Sequence, residues 1–404
     1  MSNTCFIPPS SKVAFVTGVN GISGHAIVER LIRTLKSEWS KIIVTSRRPL
    51  DNYWVDPRVQ FVALDFLQPK DSIVEKIKII CKDVTHAYFT SYIHDNDFFK
   101  LSEKNGPLFR NFLEAIDEAC PELQRASTDR RKGMSAISES GRDSDLSQHY
   151  GFQFREFNMP FFEDTPRIEG PGSGSIFYYE QEDDMMRIQK RRNVWQYNII
   201  RRMGITGFTP QFSGMNEAIP IAQYFLICRE LGENPKWPGN LKGFNRVEDQ
   251  SYAPSIADLT IWATTQERCQ NEAFNHTNGD AMAWKFLWNL FGQYFNVEID
   301  AFPDSTVDTS KPQIGLGEWA KDKEEVWKGI VAKYGGRAES FQINNFEFMN
   351  WGFTPASQGR LFMSTVNKAR RFGWDRIDDS YQAWIDTFQS YENAGILPSH
   401  HLFQ

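Results

Sequence analysis

The chain has 404 residues, 41% of them hydrophobic, which is enough apolar mass for a large core and too much for a disordered polymer. Its 45 Lys and Arg face 51 Asp and Glu, a formal charge of −6, and no basic run extends beyond the short cluster Arg130–Lys132, so nucleic acid is not an expected partner. No apolar stretch approaches the ~18 residues of a membrane span, and the first residues lack the basic and apolar regions of a leader, so no membrane partner and a cytoplasmic location are expected.

The elements run in a regular order. Val13–Thr17 is an apolar run ending at Gly18, the pattern of a strand covered on both faces. Ile22–Leu35 carries apolar residues at helical spacing. Lys41–Thr45, Gln60–Leu64 and His86–Thr90 supply three more strands, with helical patterns at Asp71–Cys81 and Asn105–Cys120. This alternation predicts an α/β chain: a Rossmann-type doubly wound parallel sheet in residues 11–250, then a smaller, mostly helical C-terminal substrate lobe in 251–404.

The first strand–helix turn reads Thr17-Gly18-Val19-Asn20-Gly21-Ile22-Ser23-Gly24. Gly18 allows a tight turn, Gly21 a close backbone approach to a pyrophosphate, and Gly24 close packing of helix on strand. Phosphates would then sit at the helix N-terminus, where free N–H groups and the dipole favour an anion. Thr17, Gly18, Asn20, Gly21, Ile22 and Gly24 are therefore candidate dinucleotide contacts. Where an NAD site usually has an acid after the second strand, this chain has Arg47-Arg48, whose guanidiniums suit a 2′-phosphate, so NADPH is expected. Asp65 is placed either to meet the adenine edge or to cap its own turn. Thr90 and Ser91, ending the fourth strand, would lie beside the nicotinamide.

With these segments in view, the chain resembles the extended short-chain dehydrogenases, and within them the progesterone 5β-reductase/iridoid synthase-like group. The resemblance is carried by Gly18–Gly24, Ser46–Pro49, Thr85–Thr90, Asn105-Gly106, Phe109-Arg110-Asn111, Glu163–Arg167, Phe177–Asp183, Gly207–Pro210 and Asn271–Asn275. It implies NADPH-dependent reduction of a carbon–carbon double bond conjugated to a carbonyl, on a small apolar substrate. It also implies that Tyr179, the second tyrosine of Phe177-Tyr178-Tyr179, holds the carbonyl oxygen. Four residues on stands Asp183, not lysine; in this group the lysine comes from a Lys-His-Tyr-Gly segment instead.

Two departures stand out. The matching segment reads Gln148-His149-Tyr150-Gly151, so Gln148 occupies the lysine position. Losing an ammonium beside a phenol that titrates near ~10 would remove roughly 3–4 kcal/mol of oxyanion stabilisation, leaving glutamine as an uncharged donor and a slowed enzyme. Upstream, Arg125–Ser147 is charged and serine-rich and reads as a polar, disordered loop where a central strand belongs. Two origins are open: a translated insertion such as a retained intron, or true loss of the strand end with its lysine. A smaller departure, Arg201-Arg202-Met203, precedes Ile205, the candidate contact at the nicotinamide end.

Helices are expected at Tyr178–Arg191, Glu217–Leu231, from Ala253 with Ser255 as N-cap, Ala281–Tyr294, Glu318–Lys333 and Asp378–Tyr391. The aromatic Ala281–Tyr294 helix reads chiefly as core, with a pocket wall as the alternative. No histidine has a nucleophile at recognisable spacing, and the five scattered cysteines show no metal pattern, so no metal is expected. The reading that results is an enone reductase using NADPH, Tyr179 and Gln148. Its rivals are a ketoreductase or epimerase of the same superfamily, or an NADP-binding regulator without turnover. A homodimer is compatible with the sequence.

Overall fold

In the computed structural model the described residues are 11–49, 54–94, 98–131, 159–167, 169, 176–210, 216–302, 308–353 and 363–403. Strand β1 (Lys12–Thr17) is apolar because both its faces are covered; Val13, Phe15 and Val16 are buried. Helix α1 (Ile22–Ile32) returns along the sheet to β2 (Trp39–Ser46), which pairs with β1 in parallel from Val13↔Lys41 to Thr17↔Thr45. The carbonyls ending α1 are met by Arg58, a buried guanidinium that donates to Ile32 O at 2.6 Å and Thr34 O at 3.2 Å while Asp56 neutralises it. Then follow the edge strand β3 (Val59–Ala63), α2 (Lys70–Ile77), β4 (His86–Phe89), the long α3 (Phe98–Ala119) and β5 (Arg125–Arg131).

Strand β5 corrects the expectation of a loop from residue 125. Residues 125–131 form a strand between β4 and the next element, with His86↔Arg125 through Phe89↔Thr128 in parallel register. Backbone groups paired on both sides satisfy the ladder whatever the side chains are, so the polar sequence makes the strand costly without forbidding it. The rest of the expected loop, 132–147, lies outside the described residues, as do Gln148, His149 and Lys132.

The chain continues with α4 (Phe177–Arg192), β6 (Gln196–Arg202), β7 (Ile205–Thr206), α5 (Ala218–Leu231), α6 (Leu241–Asn245), β8 (Val247–Glu248), β9 (Ser251–Tyr252) and α7 (Ala253–Thr265). Helix α7 starts at Ala253, so Ser255 is a buried residue of its first turn rather than its N-cap. After β10 (Glu272–His276) and β11 (Met282–Ala283) the chain is helical: α8 (Trp284–Tyr294), α9 (Leu316–Ala320), α10 (Glu324–Tyr334), α11 (Ile343–Phe353), α12 (Asn367–Arg371) and α13 (Ser380–Asn393). The seven-stranded sheet runs β10-β6-β5-β4-β1-β2-β3, a Rossmann order that reverses between β1 and β4.

Two compact units are each assembled from several segments of the chain. The first takes Met1–Arg130, Phe177–Ile200 and Ala257–Ala273; the second takes Arg131–Ile176, Arg201–Ile256 and Phe274–Gln404. In the first, Phe15, Phe89, Phe109 and Phe112 lead one core, and the Arg30–Asp258 ion pair at 2.8 Å ties α1 to α7. In the second, Trp237, Trp288, Trp327 and Trp384 are fully buried in another. Trp284, Trp288 and Phe291 of α8 belong to this core, with Phe286 exposed, so the aromatic helix is mainly structural. No helix among the described residues is long and apolar enough to cross a membrane. Cys81, Cys120, Cys228 and Cys269 are buried free thiols.

Candidate active site

The reversal of strand order places the ends of β1 and β4 side by side, and the glycine turn closes between them. Gly18 has φ +64°, and a Cβ there would stand 2.8 Å from Ser91 N and from the Thr90 carbonyl. A Cβ on Gly24 would stand 2.5 Å from Gly18 O and 2.7 Å from Thr90 Oγ1. Thr90 is thus the partner that demands both glycines. Its N–H donates to Thr17 Oγ1 at 3.1 Å, and its hydroxyl donates to the Thr17 carbonyl at 2.5 Å. Gly21 N–H donates to Gly18 O at 2.8 Å, and α1 opens at Ile22 with neither a capping side chain nor an acid in its first turn. Such an opening leaves first-turn amides directed at an anion.

Arg47 and Arg48 are exposed just past β2, and among the described residues neither makes an ion pair. Ser46 anchors them to the turn: Asn20 Nδ2 donates to Ser46 Oγ at 3.2 Å, and Ser46 Oγ donates to the Arg48 carbonyl. Asp65 is half-buried and accepts Leu67 N–H at 3.0 Å, so one of its oxygens caps its own turn.

Helix α4 begins beside the end of β4. The Tyr92 ring lies 6.3 Å from Phe177, and Phe177 lies 4.2 Å from Tyr178. Tyr179, buried in the first turn, is carried to the same edge. Segment Ser91–His94 is gripped from α3 by Asn105, which accepts Ile93 N–H at 2.9 Å and donates to Ile93 O at 2.9 Å. Gly106 lets α4 approach, since a Cβ there would stand 2.5 Å from the Glu180 carboxylate. Arg110 binds both Glu180 and, at 2.8 Å, Asp184. The arrangement has the glycine turn and two exposed guanidiniums at one end and a buried phenol-bearing turn at the other.

A family model described as the PRISE-like Rossmann-fold domain matches residues 14–398. The chain belongs to this family. A protein of Penicillium aethiopicum named short chain dehydrogenase gsfE is 40% identical over 399 residues, covering 96% of this chain and 99% of that one. The Arabidopsis thaliana 3-oxo-Delta(4,5)-steroid 5-beta-reductase is 27% identical over 388 residues, covering 94% and 92%. Among solved structures, the Bordetella bronchiseptica enzyme WbmH in complex with NAD+ superposes with a TM-score of 0.60 at 14% identity, covering 94% of this chain and 99% of that one, a likeness of fold. The PRISE-like family is thus one of short-chain-dehydrogenase-type oxidoreductases.

In this PRISE-like chain Thr17, Gly18, Gly24, Thr90 and Ser91 come together at the reversal point, with Asn20 tied to the Ser46–Arg48 segment. Ile205 lies in β7 of the other unit. In that unit Arg201 donates to Glu163 O at 2.8 Å and the Glu163 carboxylate accepts Asn275 N–H at 2.7 Å, which gives Arg201 a structural task. Sequence reasoning missed Asn105 as a clamp on Ile93. Its signals were its place in the Asn105-Gly106 segment of the family resemblance and an amide followed by glycine and Pro107 inside a helical pattern. Burial pushes His25 and His86 down to about 3, so both are neutral structural residues.

Proposed function

We propose that this chain is an NADPH-dependent reductase of a carbon–carbon double bond conjugated to a carbonyl, acting on a small apolar metabolite of the terpenoid or steroid kind. The single observation that carries the reading is the pairing, in one unit, of the glycine turn beside two exposed arginines with a buried tyrosine turn at the end of β4. The cradle fits a dinucleotide: Gly18, Gly21 and the amides of Ile22–Gly24 would hold the pyrophosphate, and Arg47 and Arg48 the 2′-phosphate. The bound cofactor would supply a hydride to the β-carbon.

The chain's own residues handle the oxygen. Tyr179 donates to the substrate carbonyl and holds the negative charge that develops there. Gln148, in the position of the family's lysine, adds a neutral donor, so turnover is slower than with an ammonium. That glutamine also favours a second reading, an NADP-binding protein without turnover. One experiment separates them: purified protein is titrated with NADPH by fluorescence, then given 2-cyclohexen-1-one or a Δ4-3-oxosteroid while NADPH consumption is followed. Oxidation of NADPH supports the reductase; binding without oxidation supports the regulator. Tyr179→Phe should cut turnover at least ~100-fold with cofactor affinity unchanged, and unchanged turnover would remove Tyr179 from the role.

A further inference from the structure

We infer that Gln181 is a positioning residue, which locks the tyrosine-bearing turn of α4 to the segment after β4 by way of the Asn105 carbonyl. The inference rests on the reading above, in which Tyr179 holds the substrate oxygen. Gln181 is buried in α4, and its Nε2 donates to Asn105 O at 2.8 Å. A leucine would fill similar space without taking an amide out of water, so the polar group there calls for a reason.

Asn105 supplies it. Its side-chain amide grips both the N–H and the C=O of Ile93, as a neighbouring strand would, and its Nδ2 also donates to Leu101 O at 3.0 Å. Its main-chain carbonyl receives Gln181. One buried residue therefore joins three segments: α3, the stretch Ser91–His94, and the first turns of α4. The contact is close because Gly106 carries no side chain where Glu180 approaches, and Pro107 lies inside α3. The ion pairs of Arg110 with Glu180 and Asp184 run alongside, but Arg110 is over a third exposed and holds the helices more weakly. Tyr179 precedes Gln181 by two positions, roughly 200° around the helix, so Gln181 anchors one side of α4 while Tyr179 projects from the other. Slippage of α4 against α3 would then displace the phenol relative to the end of β4, the kind of misplacement that costs rate rather than binding.

The test uses the full chain with NADPH and 2-cyclohexen-1-one. In Gln181→Leu, kcat should fall at least ~10-fold while KM and the NADPH affinity stay within about twofold. Gln181→Glu adds a readout that mere structural support would not move. Only a protonated carboxyl can donate to the Asn105 carbonyl, so this variant should be slow near about pH 8 and regain rate as the pH falls towards ~6, a rise absent from the unmodified chain. Unmodified kcat in Gln181→Leu, or a flat profile in Gln181→Glu, overturns the inference. If Gln181→Leu does not fold, the Gln181→Glu profile decides alone. If the unmodified protein turns over no enone, the functional reading fails separately. The strut itself is then judged by hydrogen exchange in Gln181→Glu. Amides of Ser91–His94 should exchange at least ~10-fold faster near about pH 8 than in the unmodified chain, and equal rates would refute it.

Discussion

Strands β4 and β5 lie side by side at the centre of one sheet, yet their side chains have little in common. His86–Phe89 is wholly buried, with Ala87 and Phe89 in the core. Beside it β5 reads Arg-Ala-Ser-Thr-Asp-Arg-Arg, and Ser127 Oγ and Thr128 Oγ1 are buried without a hydrogen-bond partner among the described residues. Register with β4 is regular all the same. A central strand is imposed by paired backbone on either side; side-chain polarity sets what that strand costs.

On the other flank of β4 the largest effect is expected. Gly24→Val would drive a branched side chain into Gly18 O and Thr90 Oγ1, and should cost about 3 kcal/mol or more with loss of NADPH binding. Denaturant melts and fluorescence titration check it, and a stable, binding variant would show that the turn is loose. Next comes acid sensitivity of the buried histidines. His86 in β4 and His25 in α1 are pushed down from 6.5 to about 3 by burial. A group with a depressed folded pKa resists protonation in the native state, so stability is intact above 6.5 and is lost as pH falls from there towards 3. At about pH 5.5 each histidine should cost roughly 1.4 kcal/mol. Thermal melts at pH 7 and 5.5 should show the drop, and His86→Gln should lessen it; an identical drop in the variant would contradict the assignment. The smallest effect is the most pointed test of β5. Thr128→Val, close to isosteric, removes a buried hydroxyl that has no partner among the described residues and should raise stability by about 1 kcal/mol. A loss of stability would mean that the hydroxyl is satisfied.

Local pattern made most of this fold legible. The strands β1 to β4 and the glycine turn between β1 and α1 are written in contiguous residues, and hydrophobic periodicity suffices to place them. Strand β5 was illegible because its evidence lies in its neighbours, not in Arg125–Arg131. Ser255 was misread as the N-cap of α7, which already begins at Ala253, because Ala253 and Pro254 offer no capping side chain whereas Ser255 does. At the site, the glycines could be read but not their partner: Thr90 meets Thr17 across 73 positions of sequence. Asn105 and Gln181 likewise act through contacts that exist only once α3 and α4 have packed.

In the proposed function, Arg47 and Arg48 choose the cofactor that the glycine turn holds. Calorimetry of the unmodified chain and of an Arg47→Ala/Arg48→Ala double variant with NADPH and NADH tests this directly. The unmodified chain should prefer NADPH, and the double variant should lose ~10–100-fold in NADPH affinity with little change towards NADH. No affinity for either coenzyme in well-folded protein, or a preference for NADPH that survives the loss of both guanidiniums, would contradict it.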